Sequence, residues 1–327
     1  MEGIDTAVCT DPGSRFFDVS FYPSVSPPRF HQGSPGTTPE EYHAYYRSIS
    51  ASVLKKDFKR IQEAIEEWEP DLLIELERPA AIAAAKHLSL PVLSIVSASM
   101  FRNRNFKPDI LKGLNRFLNN ADMEQVLHLR ELYDYTQCFA FGPAGFLPRF
   151  GDYEVTAFGT SCIPPADTAI TKELSILFTE SRRSDRSLRQ MIIDAFLGAP
   201  YEVYAASSGF HPGKQSNIRF QNNVRLSSLN GSRIVIHDGC DAVTQYCTAM
   251  GVMQIIVYDD SCQRSWNAAC LKRSGAGLTI PESLLSMETM YETYRRILAD
   301  DSFRINAQQL RTEVLEKGDL SSILPHL

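Results

Sequence analysis

Residues 232–268, SRIVIHDGCDAVTQYCTAMGVMQIIVYDDSCQRSWNA, leave the chain the least freedom. The apolar β-branched run Ile234–Val235–Ile236 meets a polar turn, His237-Asp238-Gly239-Cys240-Asp241. A helical segment follows, Gly251 closes it, and a second apolar run occupies Gln254 to Val257. Strand, tight turn, helix, strand is a right-handed βαβ unit, and its turn lies at the carboxyl end of a parallel strand. Such a turn gathers backbone N–H groups and a helix N-terminus at one point, which suits a phosphate.

The chain has 327 residues, enough for two α/β domains that each bury a core. Its composition, 43% hydrophobic and 22% charged, is that of a soluble globular protein. A formal net charge of −6 and the lack of a basic stripe speak against nucleic acid as a partner. The densest basic cluster, Arg182-Arg183 with Arg186 and Arg189, reads as the solvated start of a helix. Seven scattered cysteines with no close-paired spacing fit a reduced protein, without a disulfide framework or a metal site. No leader-like segment and no membrane-length apolar run are present, so the expected location is cytoplasmic.

The strand–helix rhythm runs through most of the chain. Glu2–Thr10 reads as a strand, Gly33–Thr38 as a turn-rich loop, and Glu40–Trp68 as one long helix. Leu72–Leu76 reads as a buried strand, Pro79–Leu88 as an alanine-rich helix, Pro91–Val96 as a strand and Phe106–Tyr135 as helical. Cys138–Phe141 and Val155–Phe158 are short strands. Gly159–Asp167, stiffened by Pro164-Pro165, is the linker candidate. Behind it come a strand at Leu174–Phe178, a helix at Arg186–Phe196 and a strand at Tyr201–Ala205. A short strand within Asn217–Leu226 precedes the βαβ unit, and a helix is expected at Ala268–Arg273. The turn Ser274–Gly277, a strand at Leu278–Ile280 and two helices close the chain. The expected architecture is α/β: two Rossmann-like, doubly wound domains, 1–163 and 164–327, facing across a cleft.

Over 232–301 these features resemble the C-terminal domain of GT-B glycosyltransferases, most of all the antibiotic-type and MurG-like enzymes. The likeness rests on His237-Asp238-Gly239, Gly251-Val252, Gln263, Asn267-Ala268, Gly275-Ala276-Gly277 and Pro281-Glu282. In the N-terminal half, Pro70-Asp71-Leu72-Leu73, the alanine helix and Leu90-Pro91-Val92 resemble the family more loosely. The resemblance implies a nucleotide-sugar donor of UDP or TDP type, bound as a substrate, with no cofactor and no metal. It also implies a small hydroxylated acceptor and a role in natural product biosynthesis. On this pattern His237, Asp238, Gly239, Cys240, Thr244, Gln263, Asn267 and Ser181 are the candidate donor-binding residues.

The chain departs from the family pattern in several places. Asp238 stands where a second histidine is usual, and its charge would repel a phosphate. Cys240 and Ala242 replace glycines, Tyr246 a ribose-binding glutamate, and Cys262 the acidic partner of Gln263. An alternative register puts Gln263 and Arg264 at that pair. His237, Asp238 and Asp241 can equally be structural, packing at the strand end or capping the next helix. Residues 2–10 match what is normally the second strand, so the family's first strand–loop–helix, which carries the catalytic histidine in many members, has no counterpart. The N-terminal sheet is then expected to lack a central strand. His31 and His43 are the candidate replacements for the base.

Two functions from different classes follow. One is transfer of a sugar from a nucleotide-sugar donor to a small acceptor. The other is a catalytically inactive GT-B homologue serving as an auxiliary or partner protein, for which a protein partner or a homodimer is expected. A nucleotide-sugar epimerase is disfavoured, because its acid/base carboxylates cannot be placed.

Overall fold

A computed structural model describes residues 7–10, 20–23, 36–102, 104–147, 155–160, 163–165, 169–178, 185–206, 217–221 and 225–318. Two compact units divide the chain. One comprises residues 1–140, 148–156 and 324–327, the other residues 141–147 and 157–323.

The first unit opens with β1 (Ala7–Thr10), paired in parallel with β2 (Ser20–Pro23). Helix α1 (Pro39–Tyr45) starts from a capping box: Glu41 N–H donates to Thr38 Oγ1 at 3.1 Å, and Thr38 N–H donates to the Glu41 carboxylate at 3.3 Å. The single helix expected from 40 to 68 is broken. Residues 46–50 separate α1 from α2 (Ala51–Trp68), and Arg47 turns into the left-handed region at φ 58°. Tertiary packing fixes the break: Ile49 is buried, and a Cβ on Gly113 would lie 2.9 Å from the Ile49 carbonyl oxygen.

Next come β3 (Leu73–Leu76), α3 (Pro79–His87), β4 (Val92–Ile95), α4 (Lys112–Asn120), β5 (Gln137–Phe141) and β6 (Val155–Phe158). Their strands form a sheet in the order β3-β4-β5-β6, separate from β1-β2. Ala80, Ala81, Ala83, Ala84 and Ala85 are all buried, the small side chains that let α3 sit close to its neighbours, and Ile82 is buried among them. Two expectations fail here. Strand β3 is an edge strand with Ile74 46% and Leu76 68% exposed, and only its Glu75 is buried. The stretch 106–135 is not one helix. Tight turns at Pro108–Leu111 and Leu129–Tyr135 flank α4, which ends near Asp122 at φ 55°. Asn115 holds the reversal by bonding both the N–H and the carbonyl of Val126, each at 2.9 Å.

The second unit contains β7 (Lys172–Leu177), α5 (Asp185–Asp194), β8 (Val203–Ala206), β9 (Ile218–Gln221), β10 (Ser232–His237), α6 (Asp241–Met250) and β11 (Met253–Tyr258). It ends with α7 (Cys262–Ser274), β12 (Gly277–Pro281), α8 (Met287–Ala299) and α9 (Asp301–Glu316). Helix α7 begins six residues before the expected Ala268. The Asp259 carboxylate, which accepts the Ser261 N–H at 3.0 Å, sets that early start. Six parallel strands run in the order β12-β11-β10-β7-β8-β9. Both faces are covered: Leu174, Ile176, Ile234, Ile236 and Ile255 fill one core, and Leu177, Val235, Val243 and Cys247 the other. Burial on both faces is why these strands read as unbroken apolar runs. The start of the expected linker is packed within this unit: Thr160 is buried, and its N–H donates to the Gly318 carbonyl at 3.2 Å.

The chain winds outward from β7 to β9, then returns to the other side of β7 to lay down β10, β11 and β12. Such a sheet binds ligands outside the carboxyl ends of the two strands flanking the reversal, here β7 and β10. Among the described residues no helix is long and apolar enough to cross a membrane.

Candidate functional site

The corner after β10 is built from the strand end upward. His237, the last residue of β10, is fully buried. Gly239 N–H donates to its Nδ1 at 3.1 Å, so the ring proton sits on Nε2 and meets the Gln254 side-chain oxygen at 3.0 Å. Burial pulls its pKa down to about 4, against smaller opposing effects of Asp238 and Gln254, and the imidazole is neutral. The chain of bonds continues. Gln254 Nε2 donates to Thr248 Oγ1 at 3.2 Å, and Thr248 Oγ1 donates to the Thr244 carbonyl at 2.8 Å. Thr244 Oγ1 in turn donates to the Cys240 carbonyl at 2.9 Å.

Gly239 has φ 79°, and a Cβ there would stand 2.9 Å from Ile256 Cγ2. Both conditions restrict the position to glycine. Asp238 is almost fully buried. One of its oxygens accepts the Cys240 N–H at 3.2 Å, and the other pairs with Arg264 Nη2 at 3.2 Å. Arg264 also reaches Asp259 through Nη1 at 3.4 Å. The buried acid that the sequence suggested would repel an anion is therefore charge-compensated from α7.

Helix α6 is entered at Cys240, whose own side chain makes no cap hydrogen bond, and Asp238 accepts the Cys240 N–H at that entry. Asp241 is drawn sideways. It accepts Gln263 Nε2 at 2.6 Å and Asn267 Nδ2 at 2.5 Å, and Asn267 Nδ2 also donates to the Gly239 carbonyl at 2.9 Å. Its charge still lies in the first turn of α6, where the helix dipole favours it. Tyr246, at the position of the family's ribose-binding acid, is buried and donates from its hydroxyl to Asn230 Oδ1 at 2.7 Å.

Seven of the candidates, His237, Asp238, Gly239, Cys240, Thr244, Gln263 and Asn267, thus meet at one corner of the second unit. His237, Asp238, Thr244 and Asn267 are buried and bonded to protein partners, whereas Cys240 and Gln263 keep partial exposure. Ser181 and His31 lie outside the described residues, as does His211. His43 is in α1 of the first unit, buried, with Nδ1 2.8 Å from Ser48 Oγ and its ring edge-on to Tyr42. Burial lowers its pKa to about 4.

Arg264 is the residue that sequence reasoning reached only through the alternative register. Its signal is chemical: one arginine, 26 positions from Asp238, facing two aspartates at the ends of neighbouring strands. Among the described residues no group of three or more His, Cys, Asp or Glu is placed to hold a metal ion.

Residues 213–326 match the family model of the erythromycin biosynthesis protein CIII-like C-terminal domain. No curated protein sequence matches the chain. The fold is similar to that of the spinosyn forosaminyltransferase SpnP, at 19% identity and a TM-score of 0.62, over 83% of this chain and 78% of that one. It is similar to the calicheamicin glycosyltransferase CalG4, with 14% identity and a TM-score of 0.69, over 94% and 85%. A third similar structure is the spinosyn rhamnosyltransferase SpnG complexed with thymidine diphosphate, at 13% identity and a TM-score of 0.69, over 94% and 86%.

Proposed function

We propose that this chain, whose C-terminal region belongs to the erythromycin biosynthesis protein CIII-like domain family and whose two Rossmann-like units have the GT-B fold, is a glycosyltransferase. Its reaction moves a sugar from a nucleotide-sugar donor to a small hydroxylated natural-product acceptor. The observation that carries this reading is the β10–α6 turn, at the carboxyl end of a strand flanking the sheet's reversal and inside the matched region.

The residues divide the work. His237, Asp238, Gly239, Thr244 and Asn267 hold the turn's backbone in one shape. Cys240 and Gln263, the partly exposed pair, contact the donor. The N-terminus of α6 gives the donor's diphosphate a positive dipole end to approach. Arg264 cancels one buried negative charge that would otherwise oppose that approach. The donor is a substrate of TDP or UDP type; the TDP choice draws support from the thymidine diphosphate held by SpnG. His43 is not assigned as the base, because burial and the Ser48 contact seal it in the first unit.

Thermal unfolding with added TDP and UDP tests the reading. At about a hundredfold excess over Kd, a bound nucleotide adds roughly 2.7 kcal/mol of stability. An unchanged midpoint at millimolar TDP and UDP would sink the donor site and leave an inactive scaffold.

A further inference from the structure

In the first unit a side chain ties together the carboxyl ends of β3 and β4. Glu77, the first residue beyond β3, accepts the Ser97 N–H on Oε1 at 2.5 Å, and Ser97 lies two residues beyond β4. Ser97 Oγ is 2.8 Å from Ser99 Oγ, so hydroxyls stand beside the carboxylate. The backbone of Glu77 is in the left-handed region at φ 50°, where a residue with a Cβ is strained and glycine is not. Such strain in a non-glycine residue is concentrated at functional sites. The Glu77 side chain stays partly exposed.

Two buried groups back it from the interior. Glu75 accepts the Arg78 N–H at 2.5 Å, and burial raises its pKa to about 7 against Ser94 and Arg78. Tyr133 is 2% exposed, and its hydroxyl has no hydrogen-bond partner. Burial first, and then the charges of Glu75 and Glu77, hold that hydroxyl's pKa well above the ordinary tyrosine value. A buried hydroxyl left unpaired within the field of two carboxylates calls for a partner from outside the fold. An alcohol or a phenol suits the place, because its oxygen accepts a hydrogen bond while its proton faces a carboxylate.

We propose that Glu77 is the general base for the acceptor, with the Tyr133 hydroxyl at the interior end of the same acceptor site. This inference rests on the glycosyltransferase reading and adds to it the group that His43, sealed in α1, does not supply. The proton of the acceptor O–H passes to the Glu77 carboxylate, and the acceptor oxygen bonds to the anomeric carbon of the donor sugar. The bond from that carbon to the phosphate oxygen breaks, and the nucleoside diphosphate leaves with the electron pair.

Release of nucleoside diphosphate from a panel of TDP- and UDP-hexoses, with water, glycerol and 4-nitrophenol as acceptors, tests it beside calorimetry with TDP and UDP. Glu77→Gln keeps an oxygen for the Ser97 N–H, so its circular dichroism and its nucleotide Kd are expected to stay within twofold of the parent. Its release rate is expected to fall at least a hundredfold, as loss of a general base requires. Glu77→Asp, which keeps a carboxylate, is expected to retain more activity than Glu77→Gln. Tyr133→Phe removes an unpaired hydroxyl, so its thermal midpoint is expected to hold or rise while release falls at least fivefold. A merely structural tyrosine would show the reverse, a lower midpoint and unchanged release per folded molecule. Release by Glu77→Gln within twofold of the parent overturns the inference. So does an intact chain that binds nucleotide and releases none from any sugar of the panel. Absence of nucleotide binding sinks the donor site itself, and this inference with it.

Discussion

The two units treat their sheets differently. In the second unit the first strand, β7, lies mid-sheet: Ile176 pairs in register with Ala205 of β8 on one side and with Ile236 of β10 on the other. In the first unit the described strands fall into a pair, β1-β2, and a separate sheet of four that begins at β3. Where β7 is covered on two edges and two faces, β3 shows solvent Ile74 and Leu76 and buries the carboxyl of Glu75. A reversal of winding creates a ligand corner only where the flanking strands are neighbours. β7 and β10 meet that condition, whereas β1 and β3, among the described residues, lie in different sheets.

The comparison can be broken in four ways. Arg264→Met is expected to have the largest effect, because it strands the buried carboxylate of Asp238 without its partner. A loss of about 3–5 kcal/mol is expected by urea denaturation. Adding Asp238→Asn should recover part of it, and a loss below about 1 kcal/mol would mean that the pair does not hold the turn.

Next is the contrast between strands. Ile176→Ala in the covered strand should cost roughly 2–5 kcal/mol. Ile74→Ala on the exposed edge should change stability by about 0.5 kcal/mol or less. Equal costs would show that β3 is covered in solution.

Stability should also depend on pH with opposite signs for the buried acid of the first unit and for the buried histidines, one in each unit. Glu75 has its pKa raised from 4.5 to about 7, chiefly by burial, with Ser94, Arg78 N–H and the Arg78 charge opposing. The folded state therefore keeps a proton that the unfolded chain loses, and this contribution falls as pH rises from about 4.5 to 7. His237 and His43 are lowered from 6.5 to about 4, so their contribution falls as pH drops through that window. Each amounts to about 3 kcal/mol at roughly 1.4 kcal/mol per pH unit. Glu75→Gln should thus steepen the loss of stability between pH 6.5 and 4.5. An unchanged slope in urea midpoints would place the carboxyl in water.

The smallest effect concerns the donor. Gln263→Ala removes a half-buried side chain tied to Asp241 and should weaken TDP binding about tenfold, or 1.4 kcal/mol, by calorimetry. A change under twofold would take Gln263 out of the donor site.

The second unit was the more legible in the sequence, and the reason is burial. Ile234–Ile236 and Ile255–Val257 are covered on both sides, so apolar runs and the turn between them identify β10, α6 and β11 with few residues of error. In the first unit, helical periodicity continued through 46–50 and 121–128, where distant contacts end the helices: Gly113 against Ile49, and Asn115 against Val126. The corner's residue types were also readable, but their pairing was not. Asp238 read as an unfavourable charge because its partner, Arg264, lies beyond a helix and a strand. The amides of Gln263 and Asn267 read as ligands, and their bonds to Asp241, which leave Gln263 partly exposed, could not be read from the sequence.

One consequence follows from the relay that runs from His237 through Gln254 and Thr248 to Thr244 and the Cys240 carbonyl. It ties the two ends of the β10–α6 turn through the interior, away from any surface a ligand could reach. The turn is therefore rigid before anything arrives, and little binding free energy would be lost to ordering it. The same closure makes the corner conservative: a larger or differently shaped anion would meet a backbone with no slack to adapt, so changes of donor preference would have to come from the side chains at its rim.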